Sequence, residues 1–353
     1  MIRTVILKVN RDEPETEKIR AAARIIRKGG LVAFPTETVY GLGADALNPN
    51  AIARIYAAKK RPLDNPIIAH VSSRQDIFRL AENVPAEAEK LIDTFWPGPL
   101  TLVLKASATV PEATIGGLDT VAVRMPDHKV ALALIRESGV PIAAPSANLS
   151  GRPSPTTAEH VRQDLEGRIE MILDCGPTRI GVESTVLDLT AVPPQILRPG
   201  GVPYEGLKRL LGQVVLHPAA EALSEVQSLK ARSPGMKHRH YAPKARLIVV
   251  EGETEASSRK VQEIADAHRN SGRKVGILAT DENLPGYKAE LVKSLGGRAD
   301  SESAARNLFR LLREFDEEHV DIIVAEGVPL KGLGLAIMNR LRKASGFNIV
   351  KAD

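Results

Sequence analysis

Apolar positions along the chain follow two rhythms. In residues 16–30, TEKIRAAARIIRKGG, Ile19, Ala22, Ala23 and Ile26 recur three or four apart, the spacing of one helix face, and Gly29-Gly30 stops the run. LVAF at 31–34 has no such period. Four consecutive apolar residues closed by Pro35 have the length of a buried strand. The same grammar returns at 66–71, 100–105, 120–124, 141–145, 171–174 and 184–189, with helical stretches expected at 50–60, 74–95 and 127–138. From 100 to 124 two strands follow one another without a long helix between them, so part of the pairing is expected to be antiparallel. The first two-thirds of the chain therefore predict an α/β domain with a mixed sheet.

Between Val226 and Val250 the sequence has no acidic residue. Lys230, Arg232, Lys237, Arg239, Lys244 and Arg246 are all basic, and no apolar period begins before 247. This stretch reads as a linker. Beyond it the alternation is cleaner: strand 246–250, helix 255–270, strand 274–279, helices near 285–293 and at 301–319, strand 321–326 and helix 333–344. That order predicts a small doubly wound unit on a parallel sheet. The expected division is 1–215, a linker at 216–245, and 246–353.

Composition narrows the classes. A single cysteine, Cys175, excludes an internal disulfide framework and a multi-thiolate zinc site. No apolar run approaches the roughly 18 residues of a membrane span, and the N-terminus turns charged too early for a signal peptide, so a cytoplasmic protein without membrane contact is expected. Aromatic residues at 3% are too few for a base-stacking surface. The charge of +5 and pI near 9.2 bias the chain only mildly toward anionic partners.

Familiar nucleotide signatures fail. There is no GxxxxGK[ST], and Gly41–Ala46 fits GxGxxA without the direct strand-turn-helix succession that motif needs, because Asn48-Pro49 interrupts. PTETVYGLG (35–43) packs Thr36, Glu37, Thr38 and Tyr40 into a turn after a buried strand; a turn bonded to itself and a ligand loop both fit. Lys59, Lys60 and Arg61 close a helix, where they could favour its dipole or clamp a polyphosphate. His70 sits inside a strand pattern, and Arg124 ends another. PIAAPSANLSGRPSPTT (141–157) delivers Ser146, Asn148, Ser150, Gly151 and Ser154 after an apolar strand, small groups that can surround phosphate or ribose oxygens. Ser184 begins one strand, and Arg198 ends another before a glycine pair. No nucleophile elbow, HExxH or paired-carboxylate motif stands out. The chemistry left to such a set is positioning and charge neutralisation, as in phosphoryl or nucleotidyl transfer.

KKRP (59–62), PTETVYGLG, NPIIAHV, TVAVRMP, PSANLSG, EST and RPG together resemble the YrdC-like family. SPGMKHRHYAP (233–243) and GLGLAIMNRLRKA (332–344) are similar to its two-domain form, the threonylcarbamoyl-AMP synthases. The resemblance runs from about residue 17 to 347. It implies a twisted mixed sheet with a concave, electropositive cleft, a smaller Rossmann-like parallel α/β domain, and a linker crossing the cleft mouth. The implied reaction makes L-threonylcarbamoyl adenylate and pyrophosphate from L-threonine, bicarbonate or CO2, and ATP, for N6-threonylcarbamoyladenosine formation in tRNA. Mg2+ is expected to be held mainly by the ATP phosphates rather than by protein ligands. On this resemblance Lys59 and Arg61 are expected as the catalytic residues, at the ATP phosphates, with Thr120, Ser146, Asn148, Ser154 and Arg198 around the nucleotide and Tyr241 closing over it. Thr36, His70, Arg124 and Ser184 are expected around threonine, with the Ala144 backbone as a wall and Arg124 on the carboxylate. Contact with tRNA or with a downstream transferase complex is a further expected partnership. A basic RNA-binding maturation factor without ATP turnover is the competing reading.

Overall fold

The computed structural model describes residues 2–224 and 240–352. The middle of the expected linker, 225–239, lies outside the described residues. Two sheets organise the rest. Eleven strands form a mixed sheet in the order Val5–Lys8, Met171–Asp174, Val32–Phe34, Gly41–Asp45, Ile142–Ala143, Ile68–His70, Thr120–Arg124, Leu100–Lys105, Thr185–Asp188, Gln195–Arg198 and Val215–Leu216. Leu100–Lys105 pairs antiparallel with Thr120–Arg124, as the short connection demands.

The second sheet has five strands, Leu291–Ser294, Val275–Ala279, Ile322–Glu326, Arg246–Gly252 and Ile349–Ala352, all parallel. Helices cover both faces. Val261 and Ala265 of helix Thr254–Asn270 pack with Ile248 and Val324 on one side, while Leu308 and Ile337 of helices Ser301–Glu317 and Gly334–Ala344 pack with Leu247 and Ile323 on the other.

Three expectations change. The region 285–293 is a 3-10 turn, Leu284–Gly286, followed by a strand; Leu284, Tyr287 and Leu291 imitate helical spacing, but Pro285 and Gly286 lie between them. The run 74–95 is split into Arg74–Asp76, Ile77–Leu80 and Ala86–Phe95, with Pro85 preceding the last helix. Gly41–Asp45, expected within a turn, is a strand. Its glycines conceal it in the sequence because the space admits no side chain: a Cβ on Gly43 would stand 2.8 Å from both Ile142 Cγ2 and Phe34 Cε1.

The units are joined by a seam that combines apolar packing with buried ion pairs. Val39 and Val182 of the first belong to the same cluster as Leu308, Phe309 and Ile337 of the second. Arg313 Nη2 donates to Asp164 Oδ2 (2.8 Å) and Arg340 Nε to Glu183 Oε2 (2.9 Å). Among the described residues no helix is long and apolar enough to cross a membrane.

Candidate active site

His70 and Arg124 occupy paired positions on neighbouring parallel strands, so both side chains leave the same face of the sheet. Ile68, two residues before His70, shares that face. The strand on the other side, Ile142–Ala143, runs on into Ala144, whose N–H donates to the Ile68 carbonyl (2.9 Å), and into Ser146, which is bridged to Gly41. Strand Gln195–Arg198 brings Arg198 across from them, its Nε and Nη2 donating to the Ser184 carbonyl at 3.2 and 3.0 Å.

These elements close one cavity. Of the expected site residues, Thr36, Arg61, His70, Arg124, Ala144, Ser146, Ser184, Arg198 and Tyr241 line it, joined by Glu183 and His240. Its free volume is about 40 Å3, room for a water or so rather than for a nucleotide. Tyr241 accounts for much of that closure. It is fully buried, its ring stacks on Phe309 (centroids 5.3 Å apart), and the Arg340 guanidinium stands 5.3 Å from the ring centroid. The adjoining backbone is tied to both units: Ala242 N–H donates to the Gly151 carbonyl and Lys244 N–H to Asp316.

Four expected residues do not line the cavity. The Lys59 ammonium donates to the carbonyls of Ser146 and Asn148, bracing the loop that carries Ser146; burial pushes its pKa well below the usual lysine value. The Asn148 amide donates to the Leu149 and Arg152 carbonyls, and Ser154 donates to Glu183. Thr120 opens the strand that Arg124 ends, four residues away, about 13 Å along the strand.

The electrostatics are those of a site for anions. Arg61, Arg124 and Arg198 are 7%, 4% and 5% exposed. Burial and the charge of Arg124 draw the His70 pKa down to about 3, leaving a neutral imidazole at pH 7. Burial alone would raise the Glu183 carboxyl, but Arg340 and Arg198 beside it, with the bond from Ser154, hold it at about 2. Glu183 and Arg340 were missed by sequence reasoning. Both stood in fragments quoted above, and only the fold shows that a residue from the second unit braces Glu183 and Tyr241 in the wall of the first.

Residues 24–200 match the Sua5, YciO and YrdC family model, described as "Telomere recombination", and residues 202–346 match that of the "Threonylcarbamoyl-AMP synthase, C-terminal domain". The threonylcarbamoyl-AMP synthase of Pyrococcus abyssi is 56% identical over 348 residues, covering 99% of each chain. The chain belongs to the threonylcarbamoyl-AMP synthase family. The Bacillus subtilis threonylcarbamoyl-AMP synthase is 51% identical, covering 95% of this chain and 94% of its own. A crystal structure of P. abyssi Sua5 complexed with L-threonine is 53% identical, covers 100% of both chains and superposes with a TM-score of 0.91. Membership of the threonylcarbamoyl-AMP synthase family thus extends across both sheets and the segment between them.

Proposed function

We propose that this protein is an L-threonylcarbamoyladenylate synthase, a nucleotidyltransferase forming threonylcarbamoyl-AMP and pyrophosphate from L-threonine, bicarbonate or CO2, and ATP. The observation that carries the reading is the convergence of Arg61, Arg124 and Arg198 on one buried cavity beside a neutral His70, in a chain matched end to end by enzymes of that name. The threonine amine becomes a carbamate, whose oxygen attacks the α-phosphorus as pyrophosphate leaves. No bond to the protein is needed. Arg61 and Arg198 cancel charge that builds on the phosphates, and Arg124 receives the amino-acid carboxylate. His240 and Tyr241 withdraw to admit ATP and return to keep water from the mixed anhydride.

Mg2+ would be held mainly by the phosphate oxygens of the nucleotide, where it would neutralise part of their charge. Glu183, the acidic side chain lining the cavity, is already engaged by Arg340 and Ser154, and no group of three His, Cys, Asp or Glu suited to a metal comes together among the described residues. The product serves a separate transferase that modifies tRNA, in the cytoplasm where ATP and tRNA are at hand. An RNA-binding role without ATP turnover would need its cations on the surface, whereas these arginines are less than a tenth exposed. Pyrophosphate release that requires threonine and bicarbonate together is the expected result. Release independent of threonine, or none, overturns the assignment.

A further inference from the structure

The loop between Val32–Phe34 and Gly41–Asp45 is held from several sides. Thr36 Oγ1 accepts from the backbone N–H of Thr38 and Val39 at 3.1 and 3.3 Å, and the Glu37 carbonyl accepts from Ile180 N–H at 2.8 Å. Glu37 is thereby fixed with its carboxylate 1% exposed. It does not line the cavity; it lies against Arg124, which does. Arg124 Nη2 stands 2.7 Å from Glu37 Oε1, off the line of a hydrogen bond, and neither carboxylate oxygen receives a hydrogen bond from any described group. Arg124 is thus the counter-charge of Glu37 in a buried position.

The guanidinium is clamped at two further points, Nε to the Gly98 carbonyl (3.2 Å) and Nη1 to Thr38 Oγ1 (3.1 Å). Three anchors from two loops fix its plane, and with five N–H donors in the group at least two remain for a ligand. The fixed plane matters because a carboxylate is gripped by two parallel N–H groups only at one orientation. Arg124 also faces other positive charge, since its field depresses both Arg198 and His70. A buried ion pair with one partner unbonded is a poor way to gain stability, because apolar residues of similar volume cost less. The pair has its use in orientation.

We infer that Glu37 is a positioning residue that holds the Arg124 guanidinium in the plane that grips the amino-acid carboxylate, and so sets the affinity for threonine without touching it. This rests on the function proposed above, with Arg124 as the carboxylate receptor. Glu37→Gln, which keeps shape and removes charge, is expected to raise the KM for threonine about tenfold or more, with the KM for ATP changed less than twofold. Discrimination between threonine and threoninamide, which lacks the carboxylate, is expected to shrink by a similar factor. In an Arg124→Gln background, Glu37→Gln is expected to add nothing, because its effect passes through the arginine. Circular dichroism checks the fold of each variant, and Glu37→Asp, expected at an intermediate threonine KM, replaces Glu37→Gln if the latter fails to fold. Equal rises in both KM values, an unchanged threonine KM, or an undiminished effect without Arg124 would overturn the inference. Wild-type pyrophosphate release measured alongside separates the cases: its absence sinks the proposed function, whereas its presence with an unaltered Glu37 variant sinks this assignment alone.

Discussion

Arg61 shows how the site combines burial with charge. Its Nη2 donates to the Asn65 and Pro66 carbonyls at 3.3 and 3.1 Å, and burial lowers its pKa only to about 10, so it stays charged at neutral pH. Arg61→Ala is expected to lose about 2–4 kcal/mol of transition-state stabilisation, seen as a fall in kcat/KM in pyrophosphate release with little change in melting temperature. His70 is shifted in the same direction but ends neutral: its folded pKa of about 3 lies below the ordinary 6.5, so the unfolded chain takes up the proton first. Its stabilising contribution is complete above pH 6.5 and is lost as pH falls toward 3. Urea midpoints measured from pH 7 to 3.5 should therefore fall less steeply for His70→Gln than for the parent. Lys59 illustrates what sequence could not disclose. Its residue type and place at a helix end were legible, but the direction of the ammonium, into the carbonyls of Ser146 and Asn148 rather than into the cavity, follows from burial beneath a loop nearly ninety positions away.

Helix Pro49–Lys59 is the element that presents this cluster, and its ends are written in the chain. Asn48 Oδ1 accepts from the N–H groups of Asn50 and Ala51 and Pro49 takes the first turn, the usual cap and proline order. At the other end Lys60 adopts φ +52 and turns the chain toward Arg61. Asn48→Ala is expected to cost about 1 kcal/mol in denaturant unfolding. Because the same helix carries Lys59 and precedes Arg61, activity near the melting range should fall before it does in the parent. Elements with caps, stops and a clear period were readable in this way, including the helices at 16–27 and 301–317. Gly41–Asp45 was not, because its code is the absence of side chains against Ile142 and Phe34, which local pattern cannot express.

Across the whole molecule the second unit acts on the site through Arg340. Wholly buried, it donates to Glu183 and to the Pro199 carbonyl and lies over Tyr241. Arg340→Met is expected to leave Glu183 buried without its main counter-charge and to destabilise the protein by about 3–5 kcal/mol, measured by denaturant titration. Threonine-dependent pyrophosphate release should drop as well, since Glu183 also receives Ser154 and flanks Ser184. Unchanged stability in that variant would show that the seam between the units does not depend on the Arg340–Glu183 pair, leaving Val39, Val182 and their apolar partners with the Arg313–Asp164 pair to hold it.

Most of the strand and helix rhythm was determined by the sequence alone, because it depends on neighbours within a few positions, and the alternation and order of those segments implied a mixed sheet followed by a parallel one. Which of those fragments meet was decided only by tertiary structure. Register on adjacent strands sets His70 beside Arg124, a loop remote in sequence from both strands supplies Glu37, and a helix near the C-terminus braces Glu183 in the cavity wall through Arg340. Charges that read alike along the chain acquire different tasks once burial decides which of them must find a partner in the protein and which keep donors for a ligand.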